Sequence, residues 1–410
     1  MMQPGVSEDY SEGSAGLTTK QRDALTALWR VLPQARLVGG VVRDLLAGRP
    51  VSDIDLATPE PPAEVLASLK AAGIKVVPTG LAHGTVTAVM EGQPYEITTL
   101  RRDVTTDGRH ASVCWTSNWA EDAKRRDFTI NAMFRDRHGQ LTDYFGGQAD
   151  LAAGRVRFVG EASARIREDA LRILRFFRFQ GRYGGAEPDA EAISAIRENA
   201  DWLKRLSVER IWSEMQKILT GQGARGQVRL MEETGVLSVL FPSGVTISRF
   251  DALLAAGAPA DPVLRLAALI AEDPSGLARR LKLSRAETRY LVAVSCNKAP
   301  ATDTSDDALR CLLSDKSKDL LLALVWLAQA DASFSPSVLA ESFIALRARI
   351  RDMPVPVFPL AGKHLCEAGL ATGPDIGRVL TEVRQWWQQH GCQAGLEACL
   401  KQAMNLRQIK

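Results

Sequence analysis

Cysteine is scarce in this chain of 410 residues: there are six, at 114, 296, 311, 366, 392 and 399, with no CxxC pair and no histidine at zinc-ligand spacing. That excludes a disulfide scaffold and a sequence-readable zinc site, and predicts reduced, structural thiols. Long hydrophobic runs are missing too, since no stretch approaches the roughly 18 apolar residues that suggest a membrane span. The N-terminus lacks a basic region followed by an apolar one, so the expectation is a cytoplasmic protein with no membrane partner. Charge of one sign is nearly absent, because 51 Lys and Arg against 48 Asp and Glu leave only +3. That balance permits an RNA partner, but any basic surface must be local. No fixed repeat period is evident.

The rest of the chain is organised around residues 37–58, LVGGVVRDLLAGRPVSDIDLAT. The pattern predicts a short apolar strand from Ala35 to Val38, a Gly39-Gly40 turn, a helix from Val41 closing at Gly48, and a second strand carrying Asp53 and Asp55. Side chains two apart on a strand share a face. Two carboxylates there repel unless a cation sits between them, and hard oxygen ligands of this kind suit Mg²⁺. The glycines let backbone approach a ligand closely, and Arg43 adds positive charge one turn into the helix. Taken singly, a Gly-Gly is a plain turn and a DxD is a solvated strand edge.

Combined at this spacing, the pieces resemble the first motif, GGxVRDxLxGRxxxDxDxxT, of one branch of the nucleotidyltransferase superfamily typified by DNA polymerase beta. That branch is the class II tRNA CCA-adding enzymes and bacterial poly(A) polymerases. The segment from Arg125 to Phe134 resembles its second motif, RRDFTINAM, and the EDALRILRFFRF run from Glu168 resembles EDxLRxxRxxRF. RLSVERIWSEMQKIL, from Arg205 to Leu219, is similar to a further motif expected to brace the neck, entered through a Ser207 cap. No HD dipeptide occurs, so the phosphohydrolase domain fused to some relatives is not expected.

The resemblance implies an α+β fold: a small mixed-sheet nucleotidyltransferase head followed by an all-α neck, body and tail. The divisions expected are 1–17 disordered, 18–150 head, 151–220 neck with the base-recognition helix, 221–300 body, and 301–410 a tail that binds tRNA. In the head, a helix is predicted from Thr19 to Val31, another between the prolines at 61–62 and Gly73, and then three strands, KVVPT, TVTAVM and YEITTLR. Glu96, on the last of these, is either a third acid near the metals or half of a cross-strand ion pair. Residues Arg101 to Ser112 mix Asp, Gly, Thr, Arg and His without a period and are expected to form a mobile charged loop. Their TDGRHA resembles the CCA-adding branch. HGQLTDYFGGQADLAAGRVRFVG predicts a strand, a turn and a second strand-like piece before the chain turns helical for good.

On the following helix Ile166, Leu171, Leu174, Phe177 and Phe179 form the apolar side, while Asp169, Arg172, Arg175 and Arg178 step round the other. Arginines so placed repel unless something anionic meets them. Breaks are expected at 241–244, 299–307 and 352–359, and Trp386 and Trp387 either stack on RNA or pack in the tail.

What the resemblance implies for chemistry is template-free transfer from CTP and ATP onto tRNA lacking its 3′ CCA. Asp53 and Asp55 hold two Mg²⁺ ions; Gly39, Gly40, Arg43, Arg125 and Arg126 hold phosphates. Asp127 and Asn131 tie the loop and bind the ribose, and Asp169 with Arg172 reads the base, supported by Arg175 and Arg178. Cytosine and adenine both present an amino donor beside a ring-nitrogen acceptor, which an acceptor-only Asp and a donor-only Arg match. The alternatives are a poly(A) polymerase that uses ATP alone, and a partial enzyme adding only A or only CC.

Overall fold

The computed structural model describes residues 16–106, 111–332, 338–370 and 373–408. The chain divides into two compact units, one ending at Pro242 and the other running from Ser243 to Lys410.

The first unit opens with α1 (Thr19–Val31), whose ends the sequence marks plainly. Thr18 accepts from the Gln21 N–H, and the Gln21 side chain returns a bond to the Thr18 N–H, a capping box. Residues 1–15 of the segment expected to be disordered lie outside the described residues. Leu17, expected with them, is instead buried, and the Gly16 carbonyl accepts from Val51.

After α1 come β1 (Arg36–Val38), α2 (Gly40–Leu46), β2 (Ile54–Thr58) and α3 (Pro62–Ala71). Strands β3 (Lys75–Gly80), β4 (Thr85–Met90) and β5 (Gln93–Thr99) follow as the sequence predicts. Glu91 and Gly92, both at positive φ, close the β4–β5 hairpin in the left-handed backbone that such two-residue turns need. Where a mobile loop was expected, β6 (Arg101–Thr106) and β7 (Ala111–Trp115) pair as a separate antiparallel ribbon. Val104, Thr105, Thr106 and Val113 supply β-branched residues whose preference the flanking charges obscured. Asp107 to His110 lie outside the described residues.

The head continues with α4 (Trp119–Lys124), β8 (Met133–Arg135) and β9 (Leu141–Asp143), and completes a seven-stranded sheet in the order β3-β4-β5-β2-β1-β8-β9. Only the β2–β5 pair is parallel. Beyond β9 the expected turn is a short helix, α5 (Gly147–Ala152), and the strand-like piece is reduced to one bridge between Phe128 and Phe158. The Asp143 carboxylate explains the helix, since it accepts from the N–H groups of Phe145, Gly147 and Gln148.

From there the chain is helical: α6 (Ala162–Glu168), α7 (Leu171–Tyr183), α8 (Ala190–Asn199), α9 (Val208–Thr220), α10 (Ala224–Glu233) and α11 (Val236–Leu240). The arginine-bearing segment was expected as one helix but is two. Asp169 adopts an extended backbone (φ −153°, ψ 104°) and accepts from the Leu171 N–H, the competition between an Asp side chain and helix continuation. Phe128, Phe158, Phe176 and Phe179 pack together and fasten α7 to the end of the head, with ring centroids 4.9–6.3 Å apart. Ser207 sits at the start of α9 as expected, although its hydroxyl makes no capping bond.

The second unit is a set of helices: α12 (Ile247–Ala255), α13 (Pro262–Leu269), α14 (Pro274–Arg280), α15 (Arg285–Cys296), α16 (Asp306–Asp315), α17 (Lys318–Ala332), α18 (Val338–Asp352), α19 (Gly362–Glu367), α20 (Pro374–Gln389) and α21 (Leu396–Gln408). The segments 241–244, 299–307 and 352–359 are breaks or helix ends, as expected. Trp387 is buried in the α19–α21 core and donates to the Ala394 carbonyl, so its role is packing; Trp386 is half-buried against His390. All six thiols are free. Among the described residues no helix is long and apolar enough to cross a membrane.

Candidate active site

The β2–β5 register places Asp55 directly beside Glu96. Asp53 lies one residue before β2 begins and is exposed, while Asp55, on the strand, is half-buried. Burial, then the charge of Glu96 and of Asp53, pushes the Asp55 carboxyl up to about 6, against the pull of Arg126. Excess negative charge at this end of β2 is thus a property of the fold. Among the described residues no third such side chain converges with the pair as a ready-made metal cage.

Next to the acids, Gly39 ends β1 at φ +72°, which a side chain would strain, and a Cβ there would meet Arg126 Nη1 at 3.4 Å. Helix α2 has only seven residues, so positive charge at this turn comes chiefly from guanidinium groups. Arg43 is 6% exposed, and its Nη1 donates to Asn131 Oδ1 at 2.5 Å. Asn131 in turn donates to Asp127 Oδ1 (3.0 Å), and Arg175 of α7 donates to Asp127 Oδ2 (2.7 Å). One continuous network therefore runs from α2 through the RRDFTINAM segment into α7. Burial raises Asp127, but Arg175, Asn131 and the Phe128 N–H more than offset it and hold the carboxyl down at about 2.

Arg125 and Arg126 share the buried carboxylate of Asp122, each with an N–H within 2.8 Å. Burial opposes ionisation of Asp122 and the two arginines outweigh it, holding its carboxyl below the usual range. The arginines of α7 are likewise met by acids rather than left to an external anion, as the sequence pattern suggested. Arg172 pairs with Glu168 (2.7 Å), Arg175 with Asp127, and Arg178 lies 2.8 Å from Glu214 at an angle too poor for a hydrogen bond. Asp169 is held by Arg210 of α9 (2.8 Å). The stripe looked unpaired because its partners lie on other elements.

Asp169 and Arg172 stand at the start of α7, where the Arg172 backbone N–H donates to the Asp169 carbonyl while no hydrogen bond joins their side chains. The carboxylate has used part of its acceptor capacity, on Leu171 and Arg210. Arg172 donates through Nη1 to Glu168 and the Arg165 carbonyl and through Nη2 to the Arg125 carbonyl, so Nε–H and a second Nη2–H remain. The pair can present an acceptor and a fork of donors to one planar edge. Asp44, Asp122, Glu168, Tyr183, Arg210 and Glu214, which hold these groups, were not singled out by sequence reasoning. Asp44, Glu168, Arg210 and Glu214 lay inside the quoted motifs, whereas Asp122 and Tyr183 carry no local signal.

Residues 35–157 match the Poly A polymerase head domain, and residues 187–245 match a family described as a probable RNA and SrmB-binding site of polymerase A. The CCA tRNA nucleotidyltransferase 1, mitochondrial, of Mus musculus is 37% identical over 368 residues, 87% of this chain and 83% of the relative. The CCA-adding enzyme of Geobacillus thermodenitrificans is 44% identical over 209 residues, half of each chain. Among solved structures, the Bacillus stearothermophilus CCA-adding enzyme in complex with CTP superposes with a TM-score of 0.72 at 27% identity, covering 96% of this chain and 99% of that one.

Proposed function

The chain belongs to the CCA tRNA nucleotidyltransferase family, and from that premise we propose how its residues divide the work. It adds nucleotides from CTP and ATP to the 3′ end of tRNA lacking CCA, without a nucleic-acid template. The observation that carries the reading is similarity to a family member over 87% of this chain, in a chain whose β2 acids, glycine turn and α7 polar pair belong to one unit.

Nucleotidyltransferases generally use divalent metal ions, and the donor set here fits Mg²⁺: hard carboxylate oxygens, with Asp55 pushed up to about 6 by burial and then by the charges of Glu96 and Asp53. Asp53 and Asp55 would hold the metal, with Glu96 a neighbouring charge. When bound, it supplies activation of the primer 3′-hydroxyl and neutralisation of the triphosphate. Arg43, Arg125 and Arg126 hold phosphate oxygens, and Gly39 and Gly40 let the backbone come close. Asp127 and Asn131 bind the ribose and fix Arg43 and Arg175 in place. Asp169 accepts from the exocyclic amino group of cytosine or adenine, while Arg172 donates to the neighbouring ring nitrogen; Arg175 and Arg178 support them. Uracil and guanine present the reverse order and leave groups unpaired, each costing roughly 1–3 kcal/mol. Two such mismatches give on the order of 10² to 10⁴ discrimination.

The compartment we propose is the cytoplasm, a reducing compartment that suits six free thiols; fractionation of cells carrying a tagged chain tests it. The base assignment is tested by kcat/KM for CTP over UTP in Asp169→Ala and Arg172→Ala. A collapse of that ratio supports it, and an unchanged ratio in both variants removes base selection from this pair.

A further inference from the structure

Arg43 is held in an uncommon way. Side chains one residue apart on a helix do not face each other, yet Asp44 accepts three hydrogen bonds from the Arg43 guanidinium. Nε and Nη2 donate to Oδ1 at 3.2 and 3.1 Å, and Nη2 also to Oδ2 at 3.1 Å. Both residues are buried, at 6% and 9% exposure. What keeps the side chain folded back is the last turn of α7. The guanidinium carbon lies 4.3 Å from the Tyr183 ring centroid and 5.1 Å from that of Phe179. The Tyr183 hydroxyl donates to Asp44 Oδ1, and Arg182 Nη2 is 4.0 Å from Oδ2. Burial raises the Tyr183 phenol above its ordinary range, so it is a protonated donor at neutral pH. With Nη1 on Asn131, these are four hydrogen bonds from a group with five N–H donors, and a second Nη1 N–H is left for an anion.

We infer that Tyr183 and Asp44 are positioning residues for nucleotide binding: the Tyr183 hydroxyl orients the Asp44 carboxylate, which presents Arg43 to the triphosphate of the incoming nucleotide. The inference rests on the reading of Arg43 as a phosphate-holding residue. It makes α7 a ruler, with the base-reading pair at its first turn and the orientation of the phosphate-holding arginine set from its last. A helix of 13 residues spans about 20 Å, so a displacement at one end is carried to the other without a change in any residue between.

Tyr183→Phe tests this, because it keeps the ring and the packing and deletes only the hydroxyl. The expected result is a rise in KM for both CTP and ATP of about tenfold. Along with it, kcat and the KM for tRNA stay within about twofold and the thermal midpoint stays close to wild type. In an Arg43→Gln background the same substitution should add nothing, because the group being positioned is gone. Should Tyr183→Phe fail to fold, Asp44→Asn, which keeps the shape, carries the same expectation. Unchanged nucleotide KM values, a loss shared equally by tRNA KM and kcat, or full additivity with Arg43→Gln would each overturn the inference. Equilibrium titration with CTP separates this from the functional reading. If wild type binds CTP but never extends tRNA, that reading fails, and the comparison of CTP Kd between wild type and Tyr183→Phe still decides the positioning role.

Discussion

At the residue scale the two carboxylates of β2 differ more than their spacing implies. Asp53 is exposed just before the strand, and Asp55 is half-buried beside Glu96. Replacing either by Ala should remove transfer of every nucleotide by on the order of 10³-fold or more while tRNA binding stays nearly intact. Turnover at the wild-type rate in single-nucleotide assays would contradict the assignment. Asp127 offers a test by pH. Its carboxyl is held at about 2 in the folded chain, below the ordinary range near 4, so the stability it contributes is present above pH 4 and is lost as pH falls through 2. The contribution is about 2 kcal/mol. Urea unfolding of wild type and Asp127→Asn should show the gap between them narrowing once pH drops below about 4, and a gap independent of pH down to the acid limit would mean that Arg175 is not what lowers Asp127.

At the element scale, what could be read in the sequence divides by the distance over which each signal acts. Helix α1, the prolines opening α3 and the three strands β3 to β5 follow from caps and periods contained within each segment, and all appear where expected. The break at Asp169 was missed because the apolar period continues through it; a single side chain capping Leu171 decides the matter. The ribbon β6–β7 was missed because charge hid its β-branched content. The site's individual groups were visible as motifs, but which groups pair with which was not, since Arg210 and Glu214 lie on α9 and reach α7 only by packing. Such pairing matters: removing one partner of a buried ion pair typically costs about 3–5 kcal/mol. Glu214→Ala, which leaves Arg178 half-buried and unpaired, should lower the thermal midpoint of the first unit, and a midpoint equal to wild type would show the pair to be dispensable. For the ribbon, replacing Asp107 to His110 with a Gly/Ser linker is expected to leave CC addition largely intact and to block the terminal A, because one pocket must be re-set for the larger adenine. Complete ends at the wild-type rate would make the segment a passive connection.

At the scale of the whole molecule, a net charge of +3 means that affinity for tRNA cannot come from a general positive field. Affinity should fall with salt along a log–log line of moderate slope, each phosphate contact contributing about 0.7 to 0.9. Helix α17 packs on α12 and α15, so the informative truncation falls at Pro242 rather than near residue 300. Removing Ser243–Lys410 is expected to weaken tRNA binding and to spare CTP binding, and an unaltered tRNA Kd would assign the second unit some other task. The most direct measurement of the central claim is to incubate the full chain with Mg²⁺ and tRNA truncated before CCA, with CTP alone, ATP alone and the two together, and to sequence the product ends. The account predicts ends that stop at CC with CTP alone and read CCA, no further, with both nucleotides. Runs of A from ATP alone on tRNA and unrelated RNA alike, or ends unaltered in every mixture, would contradict it.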